Sequence, residues 1–242
     1  MLQPCRLPVV AHAAMEVPLA AVVDLRSAAD PDNTPPLPKR FLRHADEQSV
    51  VAVRAVQQGI ASLEGLSCQS HGVIAAPCRL GRIASSRTLS KYAEGGGVTV
   101  STHIVPHASL HAMAAAVSVG LGMHGPSLGV GGGVEALSDG LLTLVALANT
   151  PGVDGWWLVA TQVTSEPTID SEGDPIQTEG VTAEATVEAL ALLVANPKST
   201  LARHARAWLD LNASVQTDGR LADRIHRCLV ATERDCSQPE AA

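Results

Sequence analysis

Aromatic side chains are scarce in this sequence: three Trp, one Tyr and one Phe, 2 % of 242 residues. A core must therefore be built mainly from Ala, Val, Leu and Ile, within a hydrophobic share of 46 %. Small and branched side chains of that kind suit helices packed closely on a sheet. Cysteines are few and ungrouped. Cys5, Cys68, Cys78, Cys228 and Cys236 form no Cys-x-x-Cys pair, so neither a zinc ribbon nor a redox pair is indicated, and a reduced cytoplasmic setting is the simpler expectation. No stripe of Lys and Arg occurs. With 17 basic and 24 acidic residues the formal net charge is −7, which repels a nucleic-acid backbone and an anionic membrane surface alike. Long hydrophobic runs are missing too. The most apolar stretch, residues 108–123, carries His111 and several Gly and Ser and is shorter than the ~20 apolar residues of a membrane span. Near the N-terminus the apolar residues 7–10 are broken by Pro8 and followed by His12 and Glu16, so no secretory leader is expected.

What is present alternates between the periods of strands and helices. Residues 7–10 and 19–24 are apolar runs of strand length, and the Pro-rich residues 27–39 between Ser27 and Lys39 form a loop. Val50, Val53, Val56, Ile60 and Leu63 recur at helical spacing within residues 46–66. A buried strand over 71–76, a helix over 80–92 and a helix from Pro106 to Leu121 are expected next. Residues 127–131 suit a strand running into a tight turn, residues 135–148 a helix and residues 156–160 a strand. The acidic residues 166–180 are expected to be a loop, whereas residues 186–195 fit a strand or a helix. Two amphipathic helices are expected to close the chain, one through Leu201, Ala205, Trp208 and Leu209, the other through Leu221, Ile225, Cys228 and Leu229. Such alternation implies an α/β layered fold.

The stretch with the most information is residues 100–133. It opens Val100-Ser101, places Pro106 before an apolar helix, and then gives Leu121-Gly-Met-His-Gly-Pro126 before Ser127-Leu-Gly-Val-Gly-Gly-Gly133. This order resembles the N-terminal half of the β-ketoacyl synthases, in which the strand ends in a sharp elbow bearing the catalytic cysteine. Upstream, Lys39-Arg-Phe-Leu-Arg-His resembles that family's basic lead-in and Gly72-Val-Ile-Ala-Ala its second strand, so the likeness runs over residues 38–162. It implies a thiolase-like α/β fold: a mixed β-sheet covered by helices, one domain over residues 1–242, with a C-terminal helical extension over residues 198–242.

Two departures shape what the resemblance implies about function. Counting from Gly125-Pro126 puts the nucleophile's position near Gly133 and Val134, and residues 132–135 contain no thiol. Condensation in that family proceeds through a thioester, which neither Gly nor Val can form. The family's second half also supplies two catalytic histidines. The chain is expected to end before a complete second half, and His204 and His226 do not sit in the family's Gly-rich histidine motifs. The resemblance therefore implies a non-condensing, chain-length-factor-like subunit with no catalytic residue and no cofactor. Its partner would be a second copy or a complete ketosynthase, with an acyl carrier protein as a further partner. Interface candidates are His107, His111, Ala115, Ser127 and Val130, because thiolase-like proteins pair their sheets at the elbow strand. Two other readings stay open: an acyl-transfer or thioester-hydrolysing enzyme using Glu135, a histidine or a relocated cysteine, and a binding module for an acyl chain or a carrier protein.

Local patterns also have plainer explanations. His103, His107 and His111 are four apart, but Pro106 interrupts the helix and no carboxylate completes a metal set. Gly120-x-Gly122-x-x-Gly125 matches a dinucleotide fingerprint in letters only, since it follows a helix and opens a strand. The run Gly129-x-Gly131-Gly132-Gly133 could cradle a phosphate at a helix start, but its expected role is steric. Glu135 suits the first turn of a helix, and Cys68 and Cys78 suit small apolar core positions.

Overall fold

A computed structural model describes residues 6–63, 65–100, 106, 109–164, 185–210 and 219–231. Its centre is a seven-stranded mixed sheet in the order β3-β2-β4-β5-β1-β6-β7. The strands are β1 (Arg6–Pro18), β2 (His71–Pro77), β3 (Ser127–Gly129), β4 (Gly155–Thr164), β5 (Thr186–Ala195), β6 (Ala207–Asp210) and β7 (Leu229–Ala231). β3, β2 and β4 run parallel, and from β4 onward every neighbour is antiparallel. The helices are α1 (Val22–Leu25), α2 (Glu47–Ala61), α3 (Arg82–Gly95), α4 (Ala112–Gly120), α5 (Ala136–Leu147) and α6 (Leu221–His226). Among the described residues no helix is long and apolar enough to cross a membrane.

Both faces of the sheet are buried, so its central strands read as continuous apolar runs rather than as alternation. β5, open to either assignment by period, is a strand because it lies between β4 and β1 with nearly all its residues buried. Val73, Ala75, Trp157, Val159, Ala189 and Ala191 face α2 and α4, whereas Ile74, Ala76, Trp156, Leu158, Leu190 and Leu192 face α5 and α6. The two indoles of β4 need space on opposite faces. A Cβ on Gly59 of α2 would come within 2.7 Å of the Trp157 ring, and one on Gly140 of α5 within 2.7 Å of Leu158. Trp156 donates through Nε1 to Leu147 O at 2.9 Å, so neither indole is left unpaired.

α2 is buried on nearly every side, including its polar residues Gln48, Ser49, Arg54 and Gln57. Ser49 Oγ finds no hydrogen-bond partner among the described residues, whereas Gln48, Arg54 and Gln57 are satisfied internally. Arg54 donates to Leu25 O, Ala28 O and the Asp30 carboxylate, and Gln57 joins it at Asp30. Burial pushes the Asp30 carboxyl up, but hydrogen bonds from Gln57, Leu37 N and Arg54, with the guanidinium charge, hold it below the usual range. This network straps the Pro-rich loop over α2.

Two expectations are corrected. Residues 19–24 are not a strand: β1 stays paired with β5 as far as Pro18↔Thr186, and the chain then leaves the sheet in a 3-10 turn (Leu19–Ala21) and α1. Leu19, Val22 and Leu25 close onto α2's side of the core instead. Nor is the described part of residues 198–242 a pair of amphipathic helices. Thr200–His204 is a 3-10 turn, Ala207–Asp210 is β6, and α6 stops at His226 before β7 begins at Leu229. Ladder hydrogen bonds of β6 to β1 and of β7 to β6, worth more than isolated short helices could supply, decide that outcome. The loop expected at residues 166–180 lies outside the described residues.

His71, which opens β2, is 1 % exposed, and its Nδ1 accepts the Trp157 Nε1–H at 3.2 Å. Burial pushes its pKa down to about 4, against a smaller opposing pull from Asp154. The unfolded chain therefore holds more protons than the folded one between about 6.5 and 4, and stability falls as pH drops through that window. Asp46, which caps α2, acts with the opposite sign, because burial and then Glu47 push its carboxyl up to about 6. His71→Gln keeps an acceptor for Trp157 and removes the titration. Between neutral pH and pH near 4, urea denaturation should show the wild type losing on the order of 3 kcal/mol relative to this variant. Parallel pH profiles for the two proteins would show that His71 is not held neutral.

Candidate functional site

The strands β2, β3 and β4 run parallel, and in open α/β sheets ligands bind beyond the carboxyl ends of the strands. β3 pairs with β2 through Val73↔Ser127, Ile74↔Leu128 and Ala75↔Gly129, and has no partner on its other side among the described residues. The strand is shorter than the expected residues 127–131, and among the described residues it lies at the edge of the sheet. Val130 N still donates to Ala75 O at 2.8 Å. The backbone then turns sharply, with φ of 76° at Gly131 and 114° at Gly132, where side chains are strained. At Gly131 a Cβ would also lie 2.8 Å from Ala136 Cα. The glycine run is thus required by the turn, and α5 follows it directly.

This elbow is bolted to the end of β2. Gly132 forms a parallel bridge with Cys78, and Arg79 N donates to Gly132 O at 3.0 Å. Arg79 takes the left-handed conformation (φ 57°), and Gly81 (φ 76°) then opens α3. Beneath, Gln48 Nε2 donates to Cys78 O at 3.1 Å, Thr161 Oγ1 donates to Gln48 Oε1 at 2.7 Å, and Cys78 N donates to Thr161 O at 2.7 Å. One amide side chain of α2 therefore links the ends of β2 and β4.

Gly133 and Val134 stand exposed at the apex, Val134 by 55 %. Glu135 is the exposed N-cap residue of α5, and Ser138 Oγ donates to its carboxylate at 3.4 Å. That position fits the helix-start role. Ser127 and Val130 are half-buried along the edge strand. α4 packs beside β3, with Gly129 against the Leu110 backbone, and it carries half-buried Ala115 and, at its N-cap, exposed His111. The fold thus gathers Ala115, Ser127, Val130, Gly133 and Val134 at one sheet edge. His107 and His103 lie outside the described residues.

The cysteines divide by environment. Cys68 and Cys228 are buried, and burial pushes both thiols up, Cys68 to about 11. An inert core role suits them. Cys78 is in no disulfide and is only half-buried, beside the elbow rather than in the core. The apolar core position expected for it is thus not where the fold puts it: its neighbour Gly132 is 54 positions away and comes alongside only through the parallel register of β2 and β3. The Gln48–Thr161 link has no sequence signal either, because the two residues lie 113 positions apart and meet only in the fold.

No family model and no curated protein matches this sequence. Among solved structures, the chain is similar to a ketosynthase in complex with its chain length factor from Xenorhabdus doucetiae, at 15 % identity over 79 % of each chain with a TM-score of 0.52. It is similar at 15 % identity to a β-ketoacyl synthase from Burkholderia phymatum STM815, with a TM-score of 0.54 over 84 % of this chain and 62 % of that one. The ishigamide ketosynthase/chain length factor gives 15 % identity and a TM-score of 0.52 over 80 % of this chain and 63 % of that one. The chain thus spans less than two thirds of the latter two. At such identities the likeness establishes the architecture: this chain has the thiolase-like α/β fold of the ketosynthases.

Proposed function

We propose that this chain is a non-condensing, ketosynthase-like subunit. In this reading it is a chain-length-factor-like partner in a polyketide, aryl-polyene or fatty-acid assembly system, completing a dimer and shaping the space that holds a growing acyl chain. The observation that carries the reading is the elbow. Its backbone is built as a nucleophile's would be, with left-handed glycines, a helix start and anchorage to β2, yet Val134 stands at its apex. An isopropyl group cannot accept an acyl chain, so the geometry serves shape rather than covalent chemistry. The edge of β3, which has no second strand partner among the described residues, supports the second half of the reading, because proteins rarely leave such an edge bare without a partner or a blocking device. The partner would be a complete ketosynthase or a second copy, and a carrier protein would deliver the chain.

One specific observation favours a rival. Cys78, beside Gly132, puts a half-buried thiol next to the elbow, as an acyl-transfer or hydrolytic enzyme with a relocated nucleophile would require. Incubation with acyl-CoA followed by intact mass separates the two. The subunit reading expects unchanged mass. A stable acyl adduct that disappears in Cys78→Ser would establish the enzyme instead.

Assembly gives the second test. Ala115→Arg puts a guanidinium beside β3, where pairing would leave it dry and unpartnered. Co-purification with a condensing ketosynthase should fall about tenfold or more for this variant, a cost on the order of 1.4 kcal/mol or above. Equal recovery of wild type and variant would place the contact elsewhere.

A further inference from the structure

Asp46 is the N-cap of α2, and it is 6 % exposed. Its Oδ1 accepts from Gln48 N at 2.9 Å, and its own carbonyl accepts from Val50 N at 3.0 Å. A carboxylate taken out of water normally needs a cation beside it. Among the described residues none forms an ion pair with Asp46. Arg26, the cation that acts on it from the end of α1, donates instead to Leu42 O and Ala45 O, each at 2.7 Å. Glu47 beside it is a second acid, and His44 stands exposed two residues before it. Burial and then Glu47 therefore outweigh the backbone N–H groups and Arg26, and the carboxyl is held at about 6.

The residue that Asp46 holds is the one beneath the elbow. Gln48 gives its backbone N–H to Asp46, while its side chain reaches Cys78 O, Arg79 O and Thr161 Oγ1. Cys78 and Arg79 in turn fix Gly132. A single helical turn thus connects a titratable group to the backbone of the elbow.

We infer that Asp46 is a proton-operated latch: its protonation closes the first turn of α2 and, through Gln48, tightens the hold on the elbow. The direction follows from burial. When the turn opens, Asp46 meets water and regains the ordinary carboxyl value of 3.8, so the closed turn binds the proton more tightly than the open one. Acid therefore favours the closed turn through the window from about 6 down to 3.8, and above it the buried charge favours opening. The capping bond alone would act the other way, since a neutral carboxyl is the weaker acceptor, but desolvation is the larger effect. The latch works whatever chemistry the apex of the elbow performs.

Amide hydrogen exchange at pH 7 and pH 5, corrected for intrinsic rates, tests it against Asp46→Asn, which keeps a capping side chain and carries no charge. Protection of the Val50, Cys78 and Arg79 amides in the wild type, taken as a ratio to the variant, should rise about tenfold from pH 7 to pH 5. His71 also titrates in this range but is common to both proteins and drops out of the ratio. His44→Gln should keep the wild-type response. A ratio that does not move, or a response abolished by His44→Gln, overturns Asp46 as the sensor. A response confined to Val50, with Cys78 and Arg79 unmoved, overturns the relay through Gln48. Should Asp46→Asn fail to fold, carbon NMR of the Asp46 carboxyl in the wild type decides. A midpoint at the ordinary carboxylate value overturns the latch, and a midpoint near 6 shared by the Cys78 and Arg79 amide shifts supports it.

Discussion

The packing of β4 is the constraint on which the rest of the structure depends. Trp156 and Trp157 are adjacent, so the strand's alternation sends one indole to each face of the sheet. In a chain with so few aromatics these two rings fill much of the core, and each must be met by a small residue on its neighbours. Gly59 lets α2 close over Trp157, and Gly72 on β2 lies directly opposite Trp156 in the parallel register. Because β2 is thus fixed against β4, the end of β2 comes to lie beside Thr161, and Gln48 and Thr161 can link the two strands. The elbow inherits its position from that alignment.

The elbow shows how shape and chemistry separate in one site. Its backbone requirements are stringent: positive φ at two consecutive glycines, no room for a Cβ at Gly131, and a hydrogen bond from Arg79 to Gly132. None of these depends on what the residue at position 134 can do. A turn held by neighbours can therefore keep its form while its apex carries valine. The glycines that make the turn possible also limit β3 to three residues.

Polar burial on the α2 face serves the same end. Arg54, Gln57 and Asp30 hold the Pro-rich loop against a helix that would otherwise be an apolar surface under a flexible cover. The cost of burying these groups is offset by complete pairing within the network, and what it gains is a defined path for a loop with no regular structure.

The sequence by itself determined the alternating α/β plan, the helices α2 and α5, the strands β2 and β4, and the glycine elbow between β3 and α5. Periodicity and Gly placement report these because they are set within about a dozen neighbouring residues. It did not determine that residues 19–24 leave the sheet or that residues 207–210 and 229–231 join it. Short apolar segments suit either state, and only the strand alongside decides which: β5 for residues 19–24, β1 for residues 207–210 and β6 for residues 229–231. The site divides in the same way. Val134 at the apex and the glycines before it were legible in the chain order. The approach of Cys78 to Gly132 and the Gln48–Thr161 link were not, since each depends on which residues the fold brings together across long separations in the sequence.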